Sequence, residues 1–185
     1  MLIAMAGLPG SGKSTVSVEL AQALGCALLS VDPVEAAMWH AGVGREQPTG
    51  LAAYVVVEFL AREQLLIGND VIVDAVNDVD LAREHWRSLA SRLELPLAFV
   101  EVFCSNEKEH QRRLAGRQRD IKGFPEPTWQ SVVERRSGFD DWDGDRVRVD
   151  SMRPLADIVA TVLEYLASRR RPDTTIQPSG DPNLA

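Results

Sequence analysis

Lysine, cysteine and aromatic residues are scarce in this chain of 185 residues. It has three lysines and two cysteines, and aromatic residues make up 6% of it. Acidic residues outnumber basic ones by 27 to 20, so the formal net charge is −7 at pH 7. Because a protein that grips nucleic acid needs a basic face, this balance disfavours a protein built mainly for that purpose.

Long hydrophobic runs are also absent from the sequence. No apolar run reaches the roughly 20 residues that a bilayer-spanning helix needs, and no basic leader precedes the first apolar run. Cys26 and Cys104 lie in separate strand-like runs and form no C-x-x-C pair. They therefore predict core thiols in a reducing compartment and no zinc site. We expect a soluble, cytoplasmic protein.

The composition that is present suits one domain with a full core. Hydrophobic residues make up 45% of a 20.4 kDa chain, which is enough to fill a single core. From Arg169 onward the sequence turns polar and carries three prolines and a glycine. We expect a domain over residues 1–168 and a flexible tail over 169–185.

Short apolar runs alternate with helical patterns along the chain. The first run, Leu2 to Ala6, is followed by strand candidates at 26–31, 70–75, 97–104 and 146–149. Apolar residues recur at helical spacing after the first run and within 52–60, 82–93 and 155–166. This pattern predicts an α/β fold with a parallel sheet and helices on both faces. The Gly/Pro-containing segments 42–50 and 116–128 are predicted loops and candidate moving parts.

Between the first strand and the first helix lies a complete phosphate-binding pattern, G-x-x-x-x-G-K-[ST]. Its glycines let successive backbone N–H groups and the positive end of the next helix surround an anion. Lys13 adds a mobile charge for the β- and γ-phosphates, and Ser14 offers a hydroxyl to Mg²⁺. The pattern predicts a site for ATP with Mg²⁺. The predicted nucleotide-binding residues are Gly7, Pro9, Gly10, Ser11, Gly12, Lys13, Ser14 and Thr15.

Two aspartates follow predicted strands. Asp32 comes after the second strand and Asp74 closes the third. Ligands of open parallel sheets collect beyond the carboxyl ends of the strands, so both carboxylates are candidates for the site. We expect Asp32 to be the general base for an attacking hydroxyl and Asp74 to be on the metal side. An alternative for Asp32 is an N-cap on a helix starting at Pro33.

Arginines cluster around the second predicted loop. Two of them, Arg113 and Arg117, are four residues apart and therefore share a helix face. A basic run beside a Gly/Pro-rich loop predicts a lid over about 106–137 that closes on ATP, with Arg113 and Arg117 on the phosphates and Arg117 acting in catalysis. A solvated basic face is the alternative. The cluster comprises Arg112, Arg113, Arg117, Arg119, Arg135 and Arg136.

The acceptor of the phosphoryl group is where the sequence is least informative. The residues between Val34 and Leu60 and along the predicted helix at 82–93 are compatible with many hydroxylated ligands. The three histidines show no metal-ligand or triad spacing, and the four tryptophans are typical of packing rather than base stacking. Candidate acceptor contacts are Asp32, Glu35, Trp39, Tyr54, Asn77 and Arg83.

With these features in place, the chain resembles the small P-loop kinases related to polynucleotide kinase, gluconate kinase, zeta toxin and chloramphenicol phosphotransferase, many of which are known only as AAA-family ATPases. The resemblance rests on the phosphate loop, on Asp32, on the run Val71 to Asn77 and on the Arg113 to Arg117 segment. It covers about residues 1–168. It implies a five-stranded parallel sheet in the order 2-3-1-4-5, ATP with Mg²⁺, and a hydroxyl acceptor held near residues 33–60.

Three other functions stay open on the sequence alone. A polynucleotide 5′-hydroxyl kinase needs a basic stacking channel, which the acidic composition disfavours. A P-loop ATPase or nucleotide switch would need no acceptor at all. A nucleoside monophosphate kinase transfers to a phosphate, which needs no base, so a functional Asp32 would count against it. We expect ATP and a small hydroxylated molecule as ligands, no membrane partner, and a monomer or homodimer.

Overall fold

The computed structural model describes residues 1–116 and 126–170 and shows a five-stranded, all-parallel sheet in the order β2-β3-β1-β4-β5. The strands are β1 Leu2–Ala6, β2 Ala27–Ser30, β3 Val71–Asp74, β4 Leu97–Phe103 and β5 Val147–Asp150. The helices are α1 Lys13–Leu24, α2 Val31–His40, α3 Thr49–Leu66, α4 Asp80–Arg92, α5 Glu107–Ala115, α6 Trp129–Glu134, α7 Ser137–Asp140 and α8 Leu155–Arg169.

The sheet confirms the predicted fold class and strand order. Strand β1 is fully buried at the centre, as expected of an apolar run covered on both sides. The first four strands lie within their predicted ranges, and β5 extends one residue beyond its own, to Asp150. The carboxyl ends of the strands therefore share one edge, where the predicted site residues were expected.

Two hydrophobic clusters cover the two faces of the sheet. Leu2, Ala4 and Ala6 pack on the side of α3 and α4, whereas Ile3 and Met5 pack on the side of α1 and α8. This alternation follows from the period of two in a β-strand. The helices lie on both faces, so the three-layer architecture is confirmed.

Helix α2 begins directly after β2, without an intervening loop. Its N-cap is Ser30, so Asp32 lies within the first turn. The alternative reading of Asp32 as an N-cap of a helix starting at Pro33 is therefore wrong. The reason is that Val31, predicted as strand, already has helical geometry and forms part of α2.

The prediction of core thiols is confirmed only in part. Cys26 and Cys104 are free and partly buried, because Cys26 lies just before β2 and Cys104 just after β4, and Cys26 packs against the cluster on the side of α1 and α8. Burial and the nearby Asp70 carboxylate raise the pKa of Cys26. The Cys104 thiol donates to the Asn106 carbonyl at 3.3 Å.

The predicted lid is described in part. Helices α5 and α6 lie within the predicted range and α7 begins at its last residue, while residues 117–125, which include Arg117 and Arg119, lie outside the described residues. The predicted tail is likewise described only up to Arg170. No helix in the described ranges is both long enough and apolar enough to cross a membrane.

Candidate active site

The phosphate loop leaves the end of β1 and leads into α1 through a tight backbone turn. Gly7 has φ +150°, and a Cβ there would lie 2.4 Å from the Val102 carbonyl oxygen of β4, so only glycine fits. The Ser11 N–H donates to the Leu8 carbonyl at 3.0 Å, which closes the turn. Helix α1 then starts at Lys13, and its positive end meets the loop.

Asp74 joins the two chemically active residues of the loop. One carboxylate oxygen forms an ion pair with the Lys13 ammonium, and the other accepts a hydrogen bond from the Ser14 hydroxyl at 2.8 Å. The Lys13 and Asp74 side chains are largely shielded from solvent, which strengthens the ion pair, whereas Ser14 is exposed. Asp74 thus lies beside the residue predicted to meet Mg²⁺, as its metal-side assignment requires.

A cavity of about 260 Å³ opens over this loop. Asp32, Val76 and Arg113 line it together with the loop residues Gly7 to Gly10 and Gly12 to Thr15. Asp32 is half-buried there. The register pairs Ser30 with Asp74, so the carboxylates of β2–α2 and β3 approach the loop from neighbouring strands. The fold therefore brings together the predicted base, the predicted metal-side acid and the phosphate loop.

The side chain of Ser11, although Ser11 belongs to the phosphate loop, does not line the cavity over the loop. It is 1% exposed and lines a neighbouring cavity of about 190 Å³ under the end of β4 instead of the cavity over the loop. Its hydroxyl has no hydrogen-bond partner among the described residues. Any contact of Ser11 with a nucleotide would come from its backbone.

Arg113 connects the phosphate cavity with a further cavity of about 250 Å³. The two cavities share Gly12, Thr15 and Arg113, and the second continues to Ser151 and Arg153 after β5. The Arg113 guanidinium donates to Glu109 at 2.9 Å and to the Ser151 hydroxyl at 2.8 Å. Ser151 was missed by the sequence analysis, although polar residues that follow a strand are the signal that revealed Asp32 and Asp74.

Glu109 anchors Arg113 through charge. Hydrogen bonds from Arg112 and Arg113 lower the pKa of Glu109 to about 2. The carboxylate is therefore ionised at neutral pH and holds the Arg113 guanidinium at the junction of the two cavities. Arg117, the second predicted phosphate ligand, lies outside the described residues.

Glu35 and Trp39 meet through a residue that the sequence analysis did not single out. The Trp39 indole N–H donates to the Thr49 hydroxyl at 3.0 Å, and that hydroxyl donates to Glu35 at 2.8 Å. Thr49 is 4% exposed at the start of α3. This relay joins α2 to α3, so Glu35 and Trp39 shape the candidate acceptor side.

Tyr54 reaches the same region from α3. Its ring lies against Trp86, with 5.8 Å between the centroids. Burial raises the pKa of the Tyr54 hydroxyl, which also meets the backbone of Asn77, and the charges of Asp78 and Asp32 raise the pKa further. Tyr54 is therefore a neutral hydroxyl close to Asp32.

Asn77 and Arg83 have contacts that remove them from the acceptor site. The Asn77 amide is 0% exposed, donates to the Met5 carbonyl at 2.7 Å and accepts from Trp86 at 2.9 Å. Arg83 is 4% exposed and donates to three backbone carbonyls, one of them that of Gly138 at 3.0 Å. Both side chains are used inside the fold, and we keep neither as an acceptor contact.

His110, which the sequence analysis set aside, touches the phosphate loop. It lies on α5, is 3% exposed, and its Nε2 is 2.8 Å from the Pro9 carbonyl oxygen. Its ring packs edge-on against Trp129. No spacing in the sequence could reveal this contact, because it joins residues 101 positions apart.

Solved structures with the same architecture cover nearly the whole chain. They include a gluconokinase from Sinorhizobium meliloti 1021, with 24% identity, 90% of this chain and 91% of that chain covered, and a TM-score of 0.63. Kti12 from Chaetomium thermophilum, in complex with ADP-AlF3, has 20% identity, coverage of 93% and 100%, and a TM-score of 0.70. A sugar kinase from Janibacter sp. HTCC2649 has 14% identity, coverage of 92% and 98%, and a TM-score of 0.65.

These similarities show the fold of P-loop kinases. Among curated proteins, no sequence matches this chain significantly. A sequence model of the AAA domain family, however, matches residues 2–138, which include the phosphate loop, Asp32, Asp74 and Arg113. On that match, which spans most of the chain, the protein belongs to the AAA domain family and has the fold of a small P-loop kinase.

Proposed function

We propose that the protein transfers the γ-phosphoryl group of ATP to a hydroxyl group of a small molecule. The observation that carries this proposal is the placement of two carboxylates around one phosphate loop. Asp74 is engaged by Lys13 and Ser14, whereas Asp32 lines the same cavity from the neighbouring strand. A carboxylate in this position can take a proton from water or from an acceptor hydroxyl. We favour an acceptor because α2, the helix of Asp32, also carries Glu35 and Trp39 of the polar relay to Thr49.

The two carboxylates divide the chemistry between them. Asp32 accepts the proton of the acceptor hydroxyl while its oxygen attacks the γ-phosphorus, and the bond from that phosphorus to the β–γ bridging oxygen breaks. The products are a phosphate monoester and ADP, and Asp32 passes its proton to water. Lys13 and Arg113, with Arg117, neutralise charge on the phosphates.

The residues at Asp74 fit a bound Mg²⁺. Ser14 and Asp74 place a hydroxyl and a carboxylate 2.8 Å apart, and Mg²⁺ usually takes one or two protein oxygens beside phosphate oxygens and water. Bound there, the ion would neutralise charge on the β- and γ-phosphate oxygens. Ser14 and Asp74 are therefore the residues we assign to it.

The cavities suggest how ATP lies. The triphosphate would occupy the cavity over the loop, and the nucleoside would extend past Arg113 into the cavity lined by Ser151, Arg153 and Ile158. The acceptor then approaches from the opposite side, where Asp32, Tyr54 and the Glu35–Thr49–Trp39 relay lie. This arrangement keeps the γ-phosphoryl between nucleotide and acceptor.

The charges of the described residues do not favour a polynucleotide acceptor. Arg135 lies 3.6 Å from Asp78 and Arg136 lies 3.4 Å from Glu107, so this surface mixes both signs of charge instead of forming a basic stripe. A nucleic acid channel requires cations available to the phosphate backbone. We therefore propose a small acceptor.

Acceptor-dependent release of ADP tests this function. The purified protein with ATP and Mg²⁺ is assayed alone and with alcohols, sugars, nucleosides, hydroxylated antibiotics, nucleoside monophosphates and a 5′-hydroxyl oligonucleotide. We expect a small hydroxyl compound to raise the rate well above the rate without acceptor. A rate that no compound changes would contradict the proposal in favour of an ATPase or a nucleotide switch.

Replacing Asp32 by Asn tests the base. The change keeps the size of the side chain and removes the proton acceptor, so kcat with the active acceptor should fall roughly 10²- to 10⁴-fold. Affinity for an ATP analogue, measured by calorimetric titration, should stay near that of the wild type.

The matched control is Asp74→Asn. Asp74 contacts Ser14 and Lys13, so this variant should need more Mg²⁺ and bind ATP more weakly. If Asp74→Asn shows the isolated loss of kcat and Asp32→Asn loses Mg²⁺-ATP affinity, our assignment of the two carboxylates is reversed.

A further inference from the structure

A histidine on α5 contacts the backbone of the phosphate loop on the side away from the phosphate cavity. His110, on the second turn of α5, lies with its Nε2 2.8 Å from the Pro9 carbonyl oxygen and is 3% exposed. A carbonyl oxygen can only accept, so the nitrogen that meets it must carry the hydrogen. The contact therefore requires the Nε2–H form of the ring.

The fold is shaped to permit this contact. A Cβ on Gly10 would lie 3.2 Å from the His110 ring and 3.2 Å from the Leu114 side chain, so α5 packs directly on the loop at its glycine. On its other side the His110 ring meets Trp129 edge-on, with 5.3 Å between the centroids. The ring is fixed between the loop and α6.

The geometry of the peptide unit gives the contact a consequence for the nucleotide. In a trans peptide the carbonyl and the following N–H point in opposite directions, and the described residues contain no cis peptide. Holding the Pro9 carbonyl toward His110 therefore aims the Gly10 N–H the other way. Gly10 lines the phosphate cavity and His110 does not, since His110 lines the cavity behind the loop.

We propose that His110 is a positioning residue, which preorganises the phosphate loop by fixing the Pro9–Gly10 peptide so that the Gly10 N–H faces the phosphates of the nucleotide. This role rests on one part of the proposed function, the binding of a nucleotide by the loop, and does not depend on the acceptor. An N–H already oriented costs no reorganisation when the anion arrives.

The same helix carries Arg113, three residues after His110. Helix α5 therefore meets the phosphate cavity twice, through the oriented peptide and through the Arg113 guanidinium. Burial lowers the pKa of His110 and Arg136 and Arg113 act in the same direction, whereas the hydrogen bond with Pro9 and the charge of Glu107 oppose this shift without reversing it. The ring is thus neutral at pH 7, and the position of its single N–H decides whether the contact forms.

Two substitutions separate the donor from the packing. His110→Phe keeps a ring against Trp129 and removes the N–H, whereas His110→Gln keeps an N–H at a similar reach. By calorimetric titration with a non-hydrolysable ATP analogue and Mg²⁺, we expect Kd to rise about five- to twentyfold in His110→Phe and to stay within about twofold in His110→Gln. Wild-type affinity in both variants would overturn the proposal. The same loss of affinity in both variants would overturn it as well.

The matched control is His85→Phe. His85 also lies edge-on to a tryptophan, with 5.0 Å to Trp86, but its polar partner is Glu58 and it does not touch the loop. Its Kd should equal that of the wild type. Should the wild type itself bind no analogue, the proposed function fails, and this result is distinct from a failure of the role of His110.

A spectroscopic measurement covers the case in which His110→Phe does not fold. In the wild-type protein labelled with ¹⁵N-histidine, we expect His110 to be neutral with its hydrogen on Nε2, both with and without the ATP analogue. A neutral ring with its hydrogen on Nδ1 would overturn the proposal, because it could not donate to Pro9.

Discussion

At the scale of single residues, the site depends on which polar side chains are already engaged. Lys13 pairs with Asp74, and Arg113 is held by Glu109 and Ser151, so both cations have partners within the protein itself. These contacts restrict two flexible cations to the rim of one cavity, which lowers the entropy lost when phosphates bind.

Lys13→Ala is expected to weaken binding of the ATP analogue and nearly abolish turnover. The loop would lose the charge that follows the β- and γ-phosphates, and Asp74 would lose its cationic partner. Calorimetric titration and ADP release measure the two effects. Activity equal to that of the wild type would contradict the assignment of this loop as the phosphate-binding site.

Residue types in a fixed pattern were predictable, and isolated polar residues were not. The spacing of the phosphate loop fixes its chemistry, and Asp32 and Asp74 follow from their places after strands. Asn77 and Arg83 are residue types that often bind ligands, but here both donate to backbone carbonyls, and Asn77 also accepts a hydrogen bond from Trp86. Nothing in the sequence distinguishes these two uses, because both need the same donors.

At the scale of elements, the short helices α6 and α7 each bury one apolar side chain, Val132 and Phe139, and arginines hold the backbone in and after α7. Arg83 donates to the carbonyl of Gly138 in α7, and Arg146 donates to that of Gly144 after it while pairing with the buried Glu101. The strands and long helices have clear periods and were predictable. Helices α6 and α7, with six and four residues, are too short to show one.

Gly138→Ala should displace α7. A Cβ at Gly138 would lie 1.9 Å from the Asp78 carbonyl oxygen, which is backbone and cannot swing aside. We expect a loss of about 1–3 kcal/mol in the free energy of unfolding, measured by urea denaturation.

Gly50→Ala is the control for that change. Gly50 lies in the first turn of α3, and a Cβ there would meet its nearest neighbour, the Glu35 carboxylate, at an ordinary 3.5 Å. Alanine also favours helix over glycine, so this variant should be as stable as the wild type or more stable. Equal destabilisation of both variants would mean that the contact between α7 and Asp78 is not close.

At the scale of the whole molecule, the parallel sheet brings distant segments to one edge. Residues that follow β1, β2, β3 and β5 line the cavity over the phosphate loop and the cavity that adjoins it at Arg113. The alternation of apolar runs predicted the layers, and the family resemblance gave the strand order. The contact between α5 and the phosphate loop could not be predicted, since it depends on how closely α5 packs against Gly10.

The position of the transferred phosphorus tests the central claim most directly. The protein is incubated with ATP, Mg²⁺ and the acceptor that raises ADP release, and the products are followed by ³¹P NMR. Our account predicts a phosphate monoester that forms in step with ADP in the wild type and only very slowly in Asp32→Asn. Phosphorus found only as inorganic phosphate, or joined to a phosphate of the acceptor as a diphosphate, would contradict transfer to a hydroxyl group.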